Sequence, residues 1–210
     1  MKNVSTKTIG LVQVALFAAL IIIMSVTPLG YIPLGFMRAT IIHVPVILGS
    51  ILLGPKKGAT LGFIFGLTSF INNTINPVVT SFVFTPFYSL GEFKGGFSSI
   101  IICFLPRILV GVVPYFVYRF VQMLLKKKES GQYISLGVAA VAGSLTNTIL
   151  VMGMILVFFK DSYAAAREVS SEAIYGVIAT VIGVNGVPEA IVAAVIVTFL
   201  GKVLLRFVKS

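Results

Sequence analysis

The sequence predicts an all-α membrane protein: a single integral membrane domain, residues 1–210, of six transmembrane helices with both termini in the cytoplasm. Three observations predict it. Hydrophobic residues make up 58% of the chain and charged residues only 10%, with a mean hydropathy of +1.08; a soluble domain carries about 25% charged residues. The apolar residues fall in long runs, several near the roughly 20 residues that a helical span requires. The 16 lysines and arginines gather at the ends of those runs, with one exception.

The first run, 8–26, continues past Lys7 without an Ala-x-Ala cleavage site before Pro28, so it reads as a retained span rather than a signal peptide. The second and third, 39–53 and 59–75, are short and should sit partly buried against neighbours. The fourth, 98–124, is long enough to tilt or project; the fifth covers 136–159; the sixth, 174–206, is again long. Eleven basic residues fall on one side of these spans: Lys2, Lys7, Lys56, Lys57, Arg119, Lys126, Lys127, Lys128, Lys202, Arg206 and Lys209. Four, Arg38, Lys94, Lys160 and Arg167, fall on the other. The richer side is cytoplasmic by the positive-inside rule, which puts both ends of an even-numbered bundle inside. The outer connections, 27–38, 76–97 and 160–173, are then long, and the second contains five phenylalanines. The inner ones, GPKKG (54–58) and KKKESGQY (126–133), are short. Long apolar loops on one face suit lids over a cavity; they also suit packing on the helix ends.

Two stretches carry small residues at every fourth position. Gly54, Gly58, Gly62 and Gly66 form one row, and Ala15 and Ala19, with Ala18 beside them, form another. That spacing stacks small residues on one side of a helix and lets another backbone approach closely. The glycines suit a neighbouring helix of the same chain. The alanines suit either that or a docking partner.

Several function classes are excluded. A net charge of +10 could indicate nucleic acid, but the basic residues follow membrane topology and form no binding face. Cys103 is the sole cysteine and His43 the sole histidine, so neither a disulfide framework nor a histidine-built metal site is expected, and no cofactor is implied. There is no G-x-x-x-x-G-K-[ST], no G-x-S-x-G and no H-E-x-x-H, so the chain carries no P-loop, hydrolase elbow or zinc-protease motif. It is not expected to be an enzyme. No inverted repeat relates the two halves, which weakens the case for a self-sufficient carrier.

The exceptional cation is Arg107, within IICFLPRILVGVVPYF. A charge at the bilayer centre costs about 3 kcal/mol on insertion scales, and such residues usually serve an ion or a substrate. Arg107 lies about 14 Å into the fourth span, Asn147 about 18 Å into the fifth and Asn185 about 17 Å into the sixth, at 1.5 Å per residue. Glu189 should share a face with Asn185, one turn deeper. Nearer the outer surface are His43, which suits helix packing better than ligand contact, and Asn72 and Asn73, which end span three. Tyr115 should lie two turns beyond Arg107 on one face. Pro106, Pro114 and Pro188 fall inside predicted helices, where each frees a carbonyl. Two arrangements are open. Arg107 and Glu189 could close on each other, with the asparagines bonding between helices. Alternatively, Arg107 could hold a carboxylate by a forked hydrogen bond, with Asn147 and Asn185 serving amide or hydroxyl groups.

The segment Ala15-Leu-Phe-Ala-Ala19, the long outer loops and the segments 27–69, CFLPRILVGVVPYFVY (103–118), AGSLTNTILVMG (142–153) and NGVPEAIVAA (185–194) resemble the S component of energy-coupling factor (ECF) transporters, most closely its pantothenate-specific branch. The resemblance covers nearly the whole chain. It implies an S-component bundle in bacterial plasma-membrane lipid that binds a vitamin from outside with high affinity. It implies docking through Ala15, Ala18 and Ala19 on a transmembrane coupling (T) subunit driven by two cytoplasmic ATPase subunits, and toppling to open the site inward. Pantothenate offers a carboxylate to Arg107, an amide and two hydroxyls to Asn147, Asn185 and Glu189, and a gem-dimethyl group to walls such as Phe84, Tyr31 or Tyr115. Folate would want more positive charge, and riboflavin would not need the arginine. Those vitamins, a pyrimidine- or pyridoxine-type precursor, and a stand-alone secondary carrier are the alternatives.

Overall fold

The computed structural model describes residues 6–33, 38–125 and 129–209, with side chains for 7–30, 40–125 and 131–205. Helix α1 (Thr6–Val26) leads to a short antiparallel hairpin, β1 (Tyr31–Pro33) and β2 (Arg38–Thr40). Helices α2 (His43–Leu53) and α3 (Pro55–Ile75) follow, and then a second small hairpin, β3 (Ser89–Leu90) and β4 (Phe93–Lys94). Helices α4 (Phe97–Val110), α5 (Val113–Leu124) and α6 (Glu129–Ala166) come next. The last rod is α7 (Ile174–Val181), a π-helical turn (Ile182–Gly186) and α8 (Val187–Lys209). The protein is therefore mostly helical, as composition predicts, with hairpins added in the first two outer connections.

Among the described residues, four rods are long and apolar enough to cross a membrane: Lys7–Val26, Phe97–Leu124, Gly131–Ala166 and Ile174–Leu205. The second expected span is shorter than 39–53, because β2 occupies 38–40 and α2 starts only at His43. At 11 residues α2 is too short to span alone. It is a core helix instead, buried from His43 through Ile51. Its end is cut by Gly54, whose φ of +92° suits glycine alone, and Pro55 opens α3 at the first turn, where its missing N–H costs nothing.

The expected fourth span is two helices. The chain breaks at Gly111–Val112, and Pro114 opens α5 rather than interrupting a helix. The fifth is longer than 136–159 at both ends, because polar sequence ends a membrane run without ending a helix. It runs to Ala166 through a kink at Phe159, where φ is −137°, and the third outer connection contracts to 167–173.

The glycine row does pack within the chain. A β-carbon at Gly58 would collide with the carbonyl oxygen of Gly111, and one at Gly62 with that of Arg107. A β-carbon at Gly66 would lie 2.9 Å from the Phe104 ring. Gly54 stands apart from the row, with open space around it. Because α3 meets α4 backbone to backbone, Gly62→Ala is expected to lower stability by about 1–3 kcal/mol, the usual effect of overpacking. In a free helix the same change would add about 0.5–1 kcal/mol. Thermal unfolding in detergent decides between the signs, and a higher midpoint would mean the helices are not in such contact.

Two apolar cores result. The first joins residues such as Ile21, Ile47, Leu61, Val110, Ala140 and Ala193. The second joins Phe82, Val83, Ile102, Val151, Ile155 and Ile178. Along α4, α6 and the last rod, the predicted polar residues fall between members of one core and members of the other. Arg107 lies between Ile102 and Val110, Asn147 between Ala140 and Val151, and Glu189 between Ile178 and Ala193.

Candidate ligand-binding site

A cavity of about 190 Å³ occupies that polar level. Arg107, Asn147, Glu189, His43, Asn72 and Asn73 all line it. The arginine is 7% exposed. Its Nη1 donates to the Ile102 carbonyl at 2.9 Å, while its Nε is buried without a partner. The guanidinium carbon lies 5.1 Å from the Phe84 ring and 5.8 Å from the Phe65 ring. Phe84 thus reaches the site from the second outer connection, stacked on the cation.

That connection is pinned rather than free. Ser81 Oγ donates to Asn73 Oδ1 at 2.8 Å and accepts from the Val78 N–H at 2.9 Å. Ser99 Oγ donates to the Phe82 carbonyl, and the Thr74 and Thr85 hydroxyls bond at 2.7 Å. With Ser81, Phe82, Val83 and Thr85 buried, the segment is a plug holding Phe84 over Arg107.

Arg107 and Glu189 do not form an ion pair. Glu189 Oε1 accepts from the backbone N–H of Thr40 at 2.8 Å, which fastens the end of the first hairpin to α8. Among the described residues, the cation has no protein counter-ion within ion-pair distance. Burying an unpaired charge is costly, several kcal/mol even after relaxation. Two further polar atoms are stranded on residues that line the same cavity: His43 Nε2, on a side chain 2% exposed, and Asn147 Oδ1. Buried polar groups are seldom left unpaired. Three of them line one cavity, which is polar and holds a buried cation. His43, which the sequence favoured for packing, is buried and also lines this cavity.

Other expected residues lie elsewhere. Asn185 is exposed, in the π-helical turn. That turn carries an extra residue, so the four-residue spacing does not bring it to the face of Glu189. Tyr115 lies beyond the α4–α5 break, edge-on to Phe116 at 5.4 Å, and does not line the cavity. The side chain of Tyr31 is outside the described residues. Sequence reasoning missed Ser25, Thr40, Ile42, Phe65, Thr68 and Ser69. Phe65, Thr68, Ser69, Asn72 and Asn73 follow the spacing of a single helix face, a signal legible in the sequence.

The sequence profile of the family "ECF transporter, substrate-specific component" matches residues 10–201. The chain belongs to this family. Among similar proteins, the Pantothenic acid transporter PanT of Lactococcus lactis subsp. cremoris is 37% identical over 163 residues, 77% of this chain and 75% of that one. The Pantothenate transporter PanT of Leuconostoc mesenteroides is 28% identical over 205 residues, 95% of this chain and 94% of its own length. The ECF component is thus a membrane transport protein whose family binds substrates rather than transforming them.

Proposed function

We propose that this S component captures pantothenate from outside the bacterial cell and delivers it through an ATP-driven coupling module. The observation that carries the reading is Arg107, buried at a cavity wall with no anion of the described residues paired to it. Pantothenate supplies the missing carboxylate, and its amide and hydroxyls suit Asn147, His43 and Glu189. The names of the two relatives support the same vitamin. A cavity of about 190 Å³ lies below the roughly 300–1,000 Å³ of pockets for drug-sized ligands. It favours a small flexible acid over folate or riboflavin.

In this reading residues 1–210 form one integral membrane domain of six rods, in which α3 and the short core helix α2 complete the bundle beside the four rods long enough to span. Both termini are cytoplasmic. The basic residues support this, since Gly10 lies against Lys57 and the Lys202 ammonium lies 4.5 Å from the Tyr133 ring, so the expected inner residues share ends. The expected contributions of Lys2, Lys126, Lys127 and Lys128 lie outside the described residues. Ala15 and Ala19 are exposed on α1, while Ala18 packs on the core, which suits docking on a T subunit that two ATPase subunits drive.

Calorimetric titration of pantothenate into the purified subunit, without partners, tests the reading. A saturable one-to-one signal is expected. Silence from folded, ligand-free protein would remove pantothenate and direct the search to other small acids.

A further inference from the structure

Two hydroxyls at the cavity, those of Ser25 on α1 and Thr68 on α3, are unusual in what they leave on offer. Ser25 Oγ lies 2.7 Å from the Ile21 carbonyl oxygen and 3.0 Å from Thr68 Oγ1. Thr68 Oγ1 lies 2.9 Å from the Phe65 carbonyl oxygen. A hydroxyl has a single hydrogen, and a carbonyl oxygen only accepts. If each hydroxyl donates to its carbonyl, the two oxygens face each other at 3.0 Å with no hydrogen between them. If one donates to the other, its own carbonyl loses that bond. In each of these arrangements both hydrogens stay on protein oxygens. So bonded, the pair offers the cavity its lone pairs.

Arg107, on the α4 wall, offers the opposite: a guanidinium is donor only. The cavity thus sets a donor-only cation on α4 opposite in chemistry to the hydroxyl pair on α1 and α3, with Asn147 and Glu189 also on its lining. Its occupant must bring an anionic acceptor for one wall and a hydrogen-bond donor for the other.

We propose that the Ser25–Thr68 pair is a specificity element that reads one hydroxyl of the ligand as a donor, restricting the site to hydroxylated carboxylic acids. The inference rests on the pantothenate reading and adds which chemical feature the site demands. A ligand hydroxyl donating to either oxygen supplies the hydrogen that their contact lacks. A methyl ether at that position adds a third acceptor, and a deoxy analogue adds nothing. A site built around a hydroxyl rejects the analogue lacking it much more strongly than an apolar pocket rejects a missing methylene.

The test is calorimetric titration of wild type, Ser25→Ala/Thr68→Val and Thr68→Ser with pantothenate and with analogues deoxygenated at each of its two hydroxyls. Wild type is expected to bind pantothenate at least about tenfold more tightly than one of the two deoxy analogues, one hydrogen bond's worth. In the double variant that preference should shrink to about twofold or less, through loss of pantothenate affinity while the deoxy analogue binds as before. Thr68→Ser keeps the hydroxyl and should keep the preference. Should the double variant fail a thermal-unfolding check, Thr68→Val alone carries the same comparison. Equal weakening of both ligands would reveal a merely structural pair and overturn the inference. So would an undiminished preference, with the pantothenate site itself left standing. Wild-type protein that binds no pantothenate overturns both.

Discussion

Replacing Arg107 with alanine is expected to abolish ligand binding and leave a folded, membrane-inserted protein. The two halves of this expectation have one cause. Arg107 is buried without a counter-ion among the described residues and uses one guanidinium hydrogen on the Ile102 carbonyl. Before the ligand arrives, its desolvation is mostly uncompensated, so deletion removes a cost along with the charge. The empty variant should unfold no earlier than the wild type. With the ligand bound, the same group supplies charge-assisted hydrogen bonds worth about 1.5–3 kcal/mol each. Two of these correspond to a loss of roughly 100-fold or more in affinity. Thermal unfolding of the empty protein and calorimetric titration measure the two halves separately. Wild-type affinity in the variant would reject the carboxylate role, and an unfolded variant would show that the guanidinium holds the bundle.

Ala15→Leu or Ala19→Leu is expected to leave binding unchanged and to eliminate uptake in cells that also carry the coupling subunits. Both alanines are exposed on α1 among bulkier neighbours, Leu11, Val12, Leu16 and Leu20. Small residues four apart permit a helix of another chain to approach to backbone distance, and a leucine there would hold it off. Neither alanine lines the cavity, so the pocket should not register the change. Titration should return the wild-type affinity, and accumulation of labelled pantothenate should fall to background. Lost binding would mean the alanines pack the fold itself, and normal accumulation would place docking elsewhere.

How far these features were legible in the sequence depended on what each residue signalled alone. The helical rods followed from apolar length, and Arg107, Asn147 and Glu189 followed from being polar where the bilayer should be. Helix breaks did not. Gly111–Val112 sits in a run whose apolar composition continues past it, and only the structure shows the chain breaking there, with the Gly111 backbone against Gly58. Tyr115 was consequently assigned to the wrong side of a helix assumed continuous. Asn185 was misdirected in the same way by the π-helical turn. Ser25 and Thr68 stayed silent because single hydroxyls are common in membrane helices, and only their mutual distance distinguishes them. The absence of an Arg107–Glu189 pair was equally invisible, since the Thr40 N–H that occupies Glu189 comes from 149 residues away.

The π-helical turn at Ile182–Gly186 amounts to one residue inserted into an otherwise α-helical rod. One residue is about 100° of rotation. The turn therefore acts as a phase shifter between the two halves of the last rod. α7 keeps the orientation its apolar contacts require, while everything from Glu189 onward is dialled to a different heading. Loss of a single residue there would leave the composition and hydropathy of the rod almost untouched. It would nonetheless swing the carboxylate off the cavity wall and release the hairpin that it fastens.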